Sequence, residues 1–60
     1  MATFIIYKDN IDEYRWNLKS ANGKNIADSG EGYNNHQDIV DAINWIKKYA
    51  HGADVKDLTK

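Results

Sequence analysis

An α+β fold is what the sequence predicts: a three-stranded antiparallel meander, one helix, and a short final strand, in the order β-β-β-α-β. Three observations carry it. Apolar residues alternate with polar ones over Tyr14 to Lys19, Asn22-Gly23 marks a tight hairpin turn, and apolar residues recur at helical spacing from Ile39 to Ala50.

The first strand is Thr3 to Lys8 (TFIIYK), rich in β-branched and aromatic residues and closed by the turn-forming pair Asp9-Asn10. Phe4 and Ile6 share one face, Ile5 and Tyr7 the other. Apolar groups on both faces predict a strand with neither face fully wet. In the second strand Tyr14, Trp16 and Leu18 face the core, and Arg15, Asn17 and Lys19 face away. The third strand is expected over Lys24 to Ser29. A two-residue turn would set Leu18 opposite Ala27 and leave Ile26 on the face of Arg15 and Lys19. A type I turn with Gly23 as a left-handed bulge instead sets Leu18 opposite Ile26, and keeping apolar residues together favours that register. Asn25 and Asp28 make this strand weak.

Gly30-Glu31-Gly32-Tyr33-Asn34 interrupts the pattern. Asn35, with Asp38 three residues on, resembles a capping box and predicts a helix starting at His36. Ile39, Ala42, Ile43, Ile46, Tyr49 and Ala50 line one side of it, Lys47 and Lys48 suit the C-terminal end of its dipole, and Gly52 ends it. Val40 and Trp45 widen the apolar stripe beyond what one thin sheet covers, which predicts a further packing partner. Ala53 to Thr59, with two large apolar residues at uneven spacing, reads as a frayed tail or a short edge strand, and the strand is the expectation. No internal repeat or low-complexity tract is visible.

Sixty residues make one domain at most, covering 1–60, and a chain this short buries only roughly 60% of its unfolded surface. Small folds compensate with disulfides, a structural metal or self-association. With no cysteine, disulfides and thiolate zinc sites are closed, and self-association is the expected route. Hydrophobic content of 42% is too high for a disordered chain. Eight basic against nine acidic residues, with no long run of either sign, lack the electrostatic footprint of a nucleic-acid binder. The N-terminal apolar run is too short for a signal peptide or a membrane span, so a soluble cytoplasmic protein is expected.

The string Ile6-Tyr7-Lys8-Asp9, Tyr14-Arg15-Trp16-Asn17-Leu18-Lys19, Asn22-Gly23-Lys24 and Ser29-Gly30-Glu31-Gly32-Tyr33 resembles the YegP-like family of small bacterial domains. The resemblance spans nearly the whole chain. Asn25 departs from it where an aliphatic is more usual, and His36 where a lysine is common. Members often carry two such units in one chain, so the resemblance implies that two copies of this single-unit chain pair. It implies no activity, because fold alone does not give function.

Candidate chemistry is sparse. His36, Asp38 and Asp41 fan around the helix at about 100° per residue and read as a solvated polar face, not a metal site. His51 beside Gly52 suits a helix C-terminus. Gly30-Glu31-Gly32 lacks the lysine and the spacing of a phosphate cradle, and Glu31 would repel phosphate. Neither a catalytic dyad nor a cofactor site can be argued. Tyr7, Arg15, Lys19 and Lys24 form the candidate ligand face, of the kind that stacks single-stranded nucleic acid, although Asp28 and the slightly acidic net charge oppose that reading. Trp16 belongs to the core. Trp45, Ile46 and Tyr49 are the candidate dimer contact, because tryptophans are enriched at interface centres. The leading expectation is a non-enzymatic homodimeric interaction module with an unidentified partner. Nucleic-acid binding is the alternative, and a small metal protein or enzyme the more distant one.

Overall fold

The computed structural model describes residues 1–59 and contains three strands, β1 (Thr3–Lys8), β2 (Tyr14–Lys19) and β3 (Asn25–Asp28), then helix α1 (His36–Tyr49) and a short 3-10 turn, Ala50–Gly52. The strands form one antiparallel sheet in the order β1-β2-β3. Phe4 faces Leu18, Ile6 faces Trp16 and Lys8 faces Tyr14, so the apolar members of the first two strands share one side. An isolated bridge between Tyr14 and Tyr33 holds the loop before the helix against β2.

The turn forms as expected, but the register beyond it does not. Gly23 takes a φ of +85°, its N–H donates to the Ser20 carbonyl at 2.9 Å, and Ser20 N–H donates to the Lys24 carbonyl. This is the turn with a left-handed glycine. Lys19 then pairs with Asn25, yet Leu18 pairs with Ala27, because Ile26 is skipped in a further bulge. The expected pairing of Leu18 with Ile26 is therefore wrong, and Ile26 is exposed. Ser29 provides the physical reason. Its N–H donates to the Trp16 carbonyl at 2.9 Å and its buried Oγ accepts from the Trp16 N–H, which locks the far end of the hairpin one residue out of step with the turn.

Asn35 caps α1 with extended backbone, and its Oδ1 accepts from the Gln37 N–H at 2.9 Å; Asp38 lies in the first turn and Lys47 and Lys48 in the last. The helix packs chiefly on β2. Ile39, fully buried, meets Ile43 and Trp16 at the centre, and Phe4, Tyr14, Leu18, Ala27, Tyr33 and Ile46 close around them. Phe4 meets Trp16 edge to face, with centroids 5.3 Å apart, a favoured aromatic geometry.

The final strand expected over Ala53 to Thr59 is absent. After Gly52 the chain is irregular, with Val55 94% and Leu58 79% exposed. No neighbouring strand lies beside the segment, and Asp57 turns locally instead, accepting from the Thr59 N–H at 2.9 Å and from its hydroxyl. Those bonds favour the charged carboxylate and hold the Asp57 pKa below its usual range.

Gly32 answers to close packing. A Cβ there would lie 2.8 Å from the Glu13 Cβ, which the carboxylate's flexibility cannot relieve. Gly32→Ala is expected to push the loop off β2, strain the Tyr14–Tyr33 bridge, and destabilise by about 1–3 kcal/mol. A urea titration checks it, and an unchanged midpoint would show that the loop absorbs the methyl freely.

Candidate functional site

Two surfaces of this small unit are unlike an ordinary wet exterior. The first consists of the β1 edge of the sheet and, separately, the exposed flank of the helix. β1 has β2 on one side only, and Ile5, Ile6 and Tyr7 stay 40%, 37% and 41% exposed. The expectation that neither face of this strand is fully wet is thus met only by halves within one chain. On α1, Trp45 and Tyr49 pack one helical turn apart with their rings tilted by 45° and centroids 5.1 Å apart, and remain 63% and 49% exposed. Lys48 lies over the Tyr49 ring. Ile46 sits apart from these two, half-buried against the core.

The second surface is the sheet face opposite the helix. The register places Tyr7 directly opposite Arg15, and Lys19 opposite Thr3 on β1 and Asn25 on β3. Lys24 is not on this ladder; it is exposed in the turn beyond it. The structure thus joins Tyr7 with Arg15, sets Lys19 at the far end of the same face, and leaves Lys24 outside. Between the two cations lies Asn17, opposite Ile5 and Asp28, with its Oδ1 buried and without a hydrogen-bond partner among the described residues.

Asp9, which the sequence marks only as a turn former, changes the electrostatics of this face. Its Oδ1 accepts from the N–H groups of Ile11 and Glu13, both at 3.0 Å, and its Oδ2 from Arg15 Nε at 2.6 Å. Lys8 pairs with Asp12, which takes a φ of +65° in the same loop. The Arg15 guanidinium, with the Glu13 and Ile11 amides, holds the Asp9 carboxyl below the usual carboxylate range, and Asp9 in turn raises Arg15. The cation beside Tyr7 is therefore already paired. The turn-forming Asp9-Asn10 doublet was the only signal in sequence; the reach across to Arg15 had none.

A proton that binds Asp9 less readily in the folded than in the unfolded chain makes folding pH-dependent. The contribution is complete above the unfolded carboxylate pKa, about 4, and is lost as pH falls through the lower folded value. Asp9→Asn keeps an acceptor for the two amides and removes the charge. It is expected to lower the urea midpoint near neutrality and to flatten its decline toward acid; curves that run parallel to wild type would refute the assignment.

At the start of the helix, His36 meets Tyr14 edge to face at 5.3 Å, and Asp41 accepts from Gln37 Nε2 at 2.9 Å. Among the described residues no group of three His, Asp or Glu is placed to hold a metal ion, and no enclosed cavity is found. No described helix is long and apolar enough to cross a membrane.

A family profile described as "Domain of unknown function (DUF1508)" matches residues 9–57. The chain is similar to UPF0339 protein Atu0232 of Agrobacterium fabrum, 42% identical over 98% of this chain and 94% of that one. It is 44% identical to UPF0339 protein NMB1088 of Neisseria meningitidis serogroup B, over 92% and 96% of the two chains. Among solved structures, the solution NMR structure of a protein from Haloferax volcanii superimposes with a TM-score of 0.85 at 43% identity, covering 93% of each chain. That of ATU0232 from Agrobacterium tumefaciens gives 0.78 at 38% identity, covering 98% and 94%. These neighbours carry the same three antiparallel strands followed by one helix. With its fold and nearly its whole length matched, the chain belongs to the DUF1508 family, the YegP-like group of small UPF0339 proteins.

Proposed function

We propose that the protein is a non-catalytic interaction module that works as a homodimer in the cytoplasm. The observation that carries this reading is the contrast between the two edges of the sheet. β3 is four residues long, bulged at Ile26 and bounded by Asn25 and Asp28, features that blunt an edge. β1 is six residues of TFIIYK, regular, without proline, and with a lysine only at its end. Such an edge is a template for another strand.

Further support comes from what one chain leaves uncovered. Trp45 and Tyr49 form an exposed aromatic pair, and Val55 and Leu58 lie on a segment with no packing of its own. The radius of gyration is 13.1 Å, against about 10 Å for a compact domain of this length. A second copy would supply cover for β1 and the aromatic pair, and a neighbour for the 53–59 segment, which then takes the strand form its sequence suggests.

Light scattering across a dilution series tests the reading. A molar mass near twice that of the chain, falling on dilution, is the expected result; a monomer at every concentration overturns it. Tyr7 standing opposite Arg15 favours a second reading, in which the open sheet face binds single-stranded nucleic acid. Asp9 opposes it by pairing that arginine. Affinity for single-stranded RNA that falls steeply with salt would favour this second reading, and salt-insensitive or absent binding would remove it.

A further inference from the structure

Asn22 is the single asparagine in the chain followed by glycine; the others precede Ile, Leu, His, Trp or a second Asn. Both turn residues are exposed. Gly23 has no Cβ, holds a φ of +85°, and lies in open space, with nothing within 4 Å of where a side chain would begin. No side chain of residue 23 therefore crowds the approach to its backbone nitrogen. The Ser20 hydroxyl donates to Asn22 Oδ1, which draws electron density from the carboxamide carbon and makes it more open to attack.

We propose that Asn22 is a self-modifying site, where the chain converts its own carboxamide to isoaspartate through a cyclic imide. The Gly23 nitrogen attacks Asn22 Cγ and forms a new N–C bond. The Gly23 N–H proton passes to the departing amide nitrogen, the Cγ–N bond breaks, and ammonia leaves. Water then opens the ring. Attack at the side-chain carbonyl gives aspartate, and attack at the main-chain carbonyl gives isoaspartate, with the backbone now running through the β-carbon. No oxidant or reductant is needed.

The step requires the Gly23 N–H to leave the Ser20 carbonyl. That bond and the Lys24 N–H to Ser20 Oγ contact lie beyond the last ladder pair, Lys19–Asn25, and exposed tips of this kind open at little cost. Of the other six asparagines, Asn34 precedes the larger Asn35 in place of a glycine, and the other five are guarded. Asn17 is in the central strand, Asn35 holds the helix cap, and Asn44 is inside α1. Asn10 and Asn25 precede a β-branched isoleucine that crowds the attacking nitrogen. Isoaspartate would add a methylene to a turn whose geometry fixes the pairing of Ser20 with Lys24, so modification loosens the hairpin. It also makes the net charge one unit more negative than −1.

The test is peptide mapping by mass spectrometry, with fragmentation that separates aspartate from isoaspartate, on native protein held in mildly alkaline buffer. The amide-to-acid mass change is expected at Asn22 more than an order of magnitude faster than at any other asparagine, with isoaspartate the larger product. Ser20→Ala is expected to slow it and Ser20→Thr, which keeps a hydroxyl, to restore it. Conversion at Asn22 no faster than at the other asparagines, each measured in the same wild-type sample, overturns the proposal. An unchanged rate in Ser20→Ala overturns the part given to Ser20.

Discussion

Ile39→Ala is expected to leave most of the protein unfolded under conditions where wild type is folded. Ile39 is the one large side chain fully buried among the described residues, and it meets Trp16 and Ile43 where the helix crosses the central strand. Removing its side chain beyond Cβ costs about 2–5 kcal/mol, the lost transfer energy plus the cavity left behind. A core this small rarely supplies more than about 3–5 kcal/mol in total. The two magnitudes overlap, so one substitution removes most of the stability. Ile39→Val, which removes one methylene, should cost only about 0.5–1.5 kcal/mol and remain folded. Urea titrations followed by tryptophan fluorescence, in which Trp16 is the buried reporter, measure both. A midpoint for Ile39→Ala close to wild type would mean that the helix is held by other contacts.

Trp45→Ala is expected to do the opposite, sparing the fold and weakening the proposed dimer. At 63% exposure the indole contributes little to the single chain, and exposed substitutions of this sort stay within about 0.5 kcal/mol. At a dimer contact an aromatic anchor is worth about 2 kcal/mol or more, close to a thirtyfold change in dissociation constant. The dilution at which the mass falls to the monomer value should move by that factor while the circular dichroism at high concentration is unchanged. A stable monomer in both proteins would leave Trp45 as an exposed aromatic with another partner. Loss of helicity in Trp45→Ala would instead make it a stability residue of the single chain.

Much of this architecture is legible in the sequence because local chemistry and burial agree. The alternation of Tyr14, Trp16 and Leu18 gives β2, and the Asn35 cap with the Ile39–Ile43–Ile46 stripe gives α1 and its buried side. Gly23 is placed by its own backbone freedom. What was misread depends on contacts that no pattern encodes. The register of β3 is set by the hydroxyl of Ser29 reaching the Trp16 amide, a residue that periodicity treats as merely polar. Asp9 reaches Arg15 across six positions of chain, and only the loop's curvature brings them together. The 53–59 segment forms no strand: it holds only two large apolar residues, Val55 and Leu58, three positions apart, which is too little to fix it on a ladder. Of the candidate site residues, Trp45 was visible as surplus width in the apolar stripe, whereas Tyr49, expected on the core side of the helix, is 49% exposed, and the loss of free charge at Arg15 had no sequence signal.

The unequal edges of the sheet also bear on how large an assembly can become. A unit with two open edges can add copies without limit, and the product is a fibre. Here β3, bulged and bounded by Asn25 and Asp28, offers a poor start for pairing, and β1 is the regular edge of the two. In the proposed dimer, were two copies to meet β1 to β1 about a twofold axis, each would spend its β1 edge on the other and leave the blunted β3 outermost on both sides. Growth would then stop at a closed pair. A substitution that straightened β3, such as removal of the bulge at Ile26, would take away that stop and turn a self-limiting contact into one that can propagate.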